Sequence, residues 1–137
     1  RLEDYYFSFD RNETIERHFY TDNLVVAGRT AKAIEGGRTI PLTRTLFDEG
    51  CLIFKAPASR RFSLANRLNA RSLTLSTEGA PFLGLWSKPK GAPFVCIEPW
   101  HGIPDSTDRS GELTLKEGIL GLDPGESFAT GYRVEIG

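Results

Sequence analysis

Methionine is missing altogether from this chain of 137 residues, and cysteine occurs only twice. The chain opens Arg1-Leu-Glu-Asp-Tyr5, without an initiator methionine, a basic segment or an apolar segment. No signal peptide is visible there, and the chain reads as a piece of a longer protein. Cys51 and Cys96 both sit in apolar runs and are expected to be buried thiols of a reduced, cytoplasmic protein. A disulfide would need their Cα atoms within ~7 Å, which spacing alone does not establish. Charge of one sign is lacking as well: 17 Lys+Arg against 18 Asp+Glu leave a net −1. That balance argues against a phosphate-tracking or basic membrane-surface protein, so neither nucleic acid nor membrane is expected as a partner. The longest uncharged stretch, Gly79–Ser87, falls far short of the ~20 residues needed to cross a bilayer. The chain also lacks metal-ligand spacing, a phosphate-cradling glycine loop, a dinucleotide fingerprint and a nucleophile elbow, and neither metal nor cofactor is expected.

What remains is the pattern of an all-β protein. Fourteen glycines and eight prolines punctuate short runs rich in aromatic and β-branched side chains. The runs predict strands at Tyr5–Phe9, Ile15–Tyr20, Leu24–Val26, Cys51–Lys55, Arg61–Ala65, Ser72–Ser76, Phe82–Trp86, Phe94–Glu98 and Phe128–Ile136. Several alternate with period two, as strands with one wet face do. Gly28–Arg38 has no clear periodicity and reads as a hairpin or loop. Thr43–Phe47, after Pro41, reads as one turn or a short helix. A long loop is expected at Trp100–Gly111, and loops of that length within a domain are commonly functional or mobile.

The most informative run is Ala92-Pro-Phe-Val-Cys-Ile-Glu-Pro-Trp-His-Gly102. Glu98 ends an apolar strand and is followed at once by proline, tryptophan and the polar loop. Apolar surroundings disfavour the charged form of a carboxylate, which suits a proton acceptor working at neutral pH. The plain alternative is a strand-end glutamate in water or paired with an arginine. Trp86 and Trp100 flank this region in sequence. A sugar ring has one apolar C–H face and a rim of hydroxyls, so an indole with its single N–H donor makes a suitable wall. Either tryptophan could equally be a core residue. His101 adjoins Trp100 at the mouth of the loop and is a candidate for contact with a ligand near Glu98. His18 falls in a strand and reads as solvated.

Three stretches carry a family resemblance: Phe94-Val-Cys-Ile-Glu-Pro-Trp-His-Gly-Ile-Pro-Asp105, Gly111-Glu-Leu-Thr-Leu-Lys-Glu-Gly118 and Leu122-Asp-Pro-Gly-Glu-Ser-Phe128. Together with Leu2-Glu-Asp-Tyr-Tyr6, Leu46–Lys55 and Leu83-Gly-Leu-Trp-Ser-Lys88, they resemble the aldose 1-epimerase (mutarotase) family, most of all its LacX-like branch. The resemblance implies that residues 1–137 are the C-terminal part of one large antiparallel β-sandwich, the galactose mutarotase-like supersandwich. It also implies chemistry at the anomeric carbon of a monosaccharide. A glutamate removes the O1 proton while a histidine protonates the ring oxygen; the ring opens, the carbonyl end rotates, and closure gives the other anomer. By resemblance Glu98 matches the base, and Asp105 matches a loop-shaping aspartate. The family's acid histidine, and a further substrate-binding histidine and arginine, would lie upstream in an N-terminal remainder of the protein. One departure stands within the chain: many relatives carry an acid directly before the Ala-Leu-Ile-Phe-like strand, where this chain has Gly50.

These readings leave a mutarotase-like isomerase with Glu98 as catalytic base and Trp86, Trp100 and His101 as substrate-binding residues. A non-catalytic carbohydrate-binding module on the same scaffold, and a plain structural β domain, are the competing readings. A β-sandwich seen in part should also expose apolar side chains and open strand edges.

Overall fold

The computed structural model describes residues 1–90 and 92–137. Its eight strands are β1 (Tyr5–Thr21), β2 (Leu24–Pro41), β3 (Leu52–Lys55), β4 (Arg61–Asn66), β5 (Ser72–Thr77), β6 (Phe82–Trp86), β7 (Cys96–Trp100) and β8 (Tyr132–Ile136). All pair antiparallel in one sheet of order β7-β6-β3-β1-β4-β5-β8, with β2 on the other edge of β1. The all-β class and its antiparallel pairing therefore agree with the sequence reading, and this chain contributes one broad sheet. No helix among the described residues is long and apolar enough to cross a membrane.

The register shows why the sheet is so wide. β3 and β4 pair with β1 in a single continuous register, His18 facing Ile53 at one end and Tyr5 facing Asn66 at the other. β5 and β6 likewise pair with β4 and β3 in one register, which Ala56 N–H to Pro81 O (2.7 Å) and Thr77 N–H to Arg60 O (3.0 Å) carry across the breaks. The break at residues 56–60 is held by β1: the buried Glu13 carboxylate accepts from the Ser59 (2.7 Å) and Ala58 (3.2 Å) amides. Orphaned amides in an interrupted ladder need such an acceptor. The hairpin β1–β2 turns at Asp22-Asn23, both with positive φ, the geometry that matches the twist of the flanking strands.

Several boundaries differ from those read in the sequence: Phe94–Glu98 is displaced to Cys96–Trp100, and Phe128–Ile136 shortens to Tyr132–Ile136. Tyr5–Phe9 and Ile15–Tyr20 are parts of one 17-residue strand with register shifts inside it. Gly28–Arg38 is strand, within the 18-residue β2; most of it is exposed, so no apolar alternation marks it. Thr43–Asp48 forms successive tight turns, anchored by buried Leu42 and Phe47.

Alternation sorts the core onto two faces. One carries Phe7, Phe9, Leu52, Phe54, Phe62, Leu83 and Leu85, with Ile97 packed against them. The other carries Cys51, Ile53 and Phe82, covered by Val25 and Ile103 and flanked by Tyr20, Trp86 and Trp100. Apolar side chains are also exposed, among them Leu113, Leu115, Tyr132, Val134 and Ile136.

Candidate functional site

Glu98 is the middle residue of β7, not its end. Pro99 follows inside the strand, which an edge position permits because proline has no N–H to offer a further neighbour. Opposite Glu98 lies Gly84 of β6, then Ile53 of β3, then His18 of β1, one row of directly facing residues on one face of the sheet. Residues two apart on a strand share a face, so Cys96 and Trp100 flank Glu98 on β7, and Trp86 and Phe82 flank Gly84 on β6. The strands thus bring Glu98, Trp86 and Trp100 to the same face, and all three are half-buried.

Gly84 is what lets them converge. A Cβ built there would stand 2.6 Å from Trp100 Cζ2, so the indole lies directly over the missing side chain, beside the Glu98 position. Trp86 is tilted against Phe94, with ring centroids 5.8 Å apart, and the hairpin between them is closed by Ser87 Oγ donating to Phe94 O at 2.6 Å.

Two thiols report the carboxylate's field. Burial, and then the Glu98 charge, push the Cys51 thiol up to about 12. Cys96 is raised by burial, by the Glu98 charge, and by a hydrogen bond with that carboxylate. Both cysteines are free. The pattern of Cys96 and Glu98 two residues apart was legible, but the presence of Cys51 on the same face depends on the strand order.

His101 does not join this group. Its Nε2 shares a 2.6 Å hydrogen bond with Thr130 Oγ1 and its ring stands edge-on to Phe128 at 4.9 Å. Asp105 shapes the loop: its carboxylate accepts from Ser106 N–H (3.0 Å) and faces Arg109 (3.5 Å), while its carbonyl accepts from Val25 N–H (2.7 Å). The loop is thereby docked on the start of β2, and Ile103 is driven into the second core face. Glu98 borders none of the three main cavities; it stands on a half-covered face instead of in a closed cleft. The cavity of about 490 Å³ is lined by Ile103 together with His18 and Lys55.

Gly50 has φ +86°, in the left-handed region that disfavours L side chains, and a Cβ there would meet Tyr20 at 3.6 Å. The local backbone thus accounts for glycine at the position where the family resemblance leads one to expect an acid.

No family model matches the chain. It is 25% identical over 138 residues to the plasmid and chromosomal LacX proteins of Lactococcus lactis subsp. lactis, matching 99% of this chain and 46% of each of them. All of this chain superposes, with a TM-score of 0.89 and 32% identity, on 46% of a galactose mutarotase related enzyme from Lactobacillus acidophilus. A galactose mutarotase-like protein from Lactobacillus casei matches 98% of it, with a TM-score of 0.82, 26% identity and 47% of its own chain covered. The chain therefore has the galactose mutarotase-like fold and spans about half the length of the curated relatives it matches.

Proposed function

We propose that residues 1–137 carry the base-bearing half of a mutarotase-like isomerase, which interconverts the anomers of a hexose or related sugar with Glu98 as general base. One observation supports this most: a half-buried carboxylate shares a sheet face with two half-buried indoles, one of them lying over a glycine beside it. An indole offers the C–H face of a pyranose a surface, and the adjacent carboxylate then lies where O1 can lose its proton. The sugar's apolar face would rest on Trp86 or Trp100 with Glu98 at its edge.

The reaction needs an acid for the ring oxygen, and O1 and O5 are bonded to the same carbon, so acid and base must lie close together. His18 stands three strands from Glu98 along its row, about 14 Å away at ~4.8 Å per strand. His101 is engaged with Thr130 and Phe128. In this proposal the acid is, as the resemblance implies, a histidine of an N-terminal remainder of the protein, which would also complete the half-covered Glu98 face. Free Cys51 and Cys96 suit the cytoplasmic setting of this reading.

A second reading, a non-catalytic carbohydrate-binding module, is favoured by Gly50, whose backbone conformation disfavours an acid at that position. Glu98→Gln in the intact protein separates the two. The isomerase reading expects anomer interconversion, followed by polarimetry, to fall by about 10²–10⁴-fold. Full retention would remove Glu98 as base, and sugar binding without turnover in the unaltered protein would favour the module.

A further inference from the structure

The outer strands of the sheet guard their edges unequally. β7 carries Pro99, which has no N–H to offer, and β2 is offset from β1 by repeated register shifts. β8 has neither device: Tyr132–Ile136 pairs with β5 without a break, holds no proline or glycine, and is exposed along its whole length.

The ladder shows which of its backbone groups are free. Gly137 and Ser72 exchange both backbone hydrogen bonds, at 2.9 and 3.0 Å, and the Glu78 amide donates to Gly131 O at 3.4 Å. Antiparallel ladders alternate, so Arg133 and Glu135 also turn their N–H and C=O groups toward β5. Those of Tyr132, Val134 and Ile136 therefore point away from the sheet, and among the described residues nothing engages them. The same three residues are 68%, 46% and 86% exposed and share one face, while Arg133 and Glu135 share the other. Glu135 Oε2 lies 2.7 Å from Arg61 Nη2; Arg133 has no ion-pair partner among the described residues.

Opposite charges two residues apart make this edge complementary to itself. When two copies of β8 meet antiparallel about Val134, Arg133 faces the partner's Glu135, Glu135 faces the partner's Arg133, and Tyr132 faces the partner's Ile136. In that register every outward N–H and C=O meets its counterpart, and the charges fall in the closer, non-hydrogen-bonded pairs. Sliding one strand by two residues, the smallest step that keeps outward groups facing, sets arginine against arginine or glutamate against glutamate, which is destabilising. A strand of unrelated sequence would gain the ladder without this matching of charge. We infer that β8 is the docking edge for a second copy of this protein, joined antiparallel across a two-fold axis at Val134 into one continuous sheet. The contact is isologous and closes at a dimer. It uses neither Glu98 nor the tryptophans, so it stands or falls apart from the isomerase reading.

The test uses the intact protein. Val134→Cys puts two thiols on the axis with Cα atoms about 5.5 Å apart, inside the ~7 Å limit, so mild oxidation should join two chains. Tyr132→Cys puts them about 14 Å apart and should not, and the unaltered protein, which keeps Cys51 and Cys96, should also stay unlinked. Sedimentation over a range of concentrations reads the association apart from the chain's own stability. Arg133→Glu and Glu135→Arg, singly, set like charges opposite each other in both pairs and should weaken dimerisation about tenfold; the double variant restores opposite charges and should recover it. Equal cross-linking from positions 132 and 134, a single-chain mass at every concentration, or failure of the double variant to recover overturns the inference. Slow hydrogen exchange at the Val134 amide in a protein of single-chain mass assigns the edge to another strand of the same chain, and fast exchange there leaves it unpaired; either result overturns the inference too.

Discussion

β7 and β8 are five-residue strands in equivalent places, each the last strand on its side of the broken sheet, yet their burial differs at every position. All of Cys96–Trp100 is half-buried, and all of Tyr132–Ile136 is exposed. Pairing does not explain the difference, since β7 is fully laddered to β6 and β8 to β5. The layers on either face do. Around β7, Ile97 packs into one core while Trp100 joins Ile53, Phe82 and Ile103 in the other. Hydrogen bonds make a strand, but a second layer of side chains makes an environment in which a carboxylate can be placed with care. The candidate chemistry lies on β7, where two packed layers meet.

The sharpest way to break that contrast is to empty the core on the Glu98 face. Ile53 is wholly buried between β1 and β6 in the Glu98 row. Ile53→Ala is expected to cost about 2–5 kcal/mol, the range for large-to-small changes in a packed core, measured by urea unfolding. A cost under about 1 kcal/mol would mean that the second face is not a true core and that β7 owes its burial to something else.

Next comes a change that adds one methyl group. Gly84→Ala places a Cβ 2.6 Å from the Trp100 ring, a separation that only movement of the indole or of β7 can relieve. The expected loss is about 1–3 kcal/mol, with a change in tryptophan fluorescence as Trp100 leaves its position. Unaltered fluorescence together with unaltered stability would show that the indole does not rest on the glycine.

Much of this arrangement is legible in the amino-acid order, and the exceptions have physical causes. Leu83 and Leu85, Leu52 and Phe54, and Phe62 announce their strands because one face is apolar. β2 is hidden because most of it is exposed and its buried residues, Val25, Ile34 and Ile40, stand too far apart to alternate. Pro99 suggests a strand end after Glu98, but an edge strand tolerates proline, so Glu98 is central. Glu98, Trp86 and Trp100 were recognisable from residue type, whereas His18 was not, because its place in the Glu98 row is fixed by the cross-strand register of three non-adjacent segments. His101 looks close to Glu98 in sequence, yet it is drawn to Thr130 and Phe128 by the return of the chain toward β8.

The two layers around β7 also predict a smaller, pH-dependent effect. Cys51 is pushed up to about 12 in the folded state from an ordinary 9.0, by burial and then by the Glu98 charge. A folded-state value above the unfolded one gives stability that is complete below pH 9 and declines as the unfolded chain begins to ionise. Roughly 1 kcal/mol should be lost by pH 10, and Cys51→Ala should flatten that alkaline decline while lowering stability at neutral pH. An alkaline decline of the same steepness in Cys51→Ala would assign it to other groups. Iodoacetamide, which needs the thiolate, should label Cys51 only on unfolding.

The smallest effect belongs to β8, and it tests the contrast from the other side. Ile136 is 86% exposed and pairs with Leu73 through the backbone alone. With no second layer to lose, Ile136→Ala in the 137-residue chain should change stability by no more than about 0.5 kcal/mol. The same substitution in the longer protein of the proposed function measures what, if anything, packs on that strand. A cost there of about 2 kcal/mol or more, as for a buried isoleucine, would mean that chain outside residues 1–137 supplies the missing layer. β7 and β8 would then differ only because the layer over β7 comes from this half of the protein. A cost that stays near zero in both forms would leave β8 a true free edge, and the half-covered Glu98 face would have to be completed by chain that approaches from the β7 side of the sheet alone.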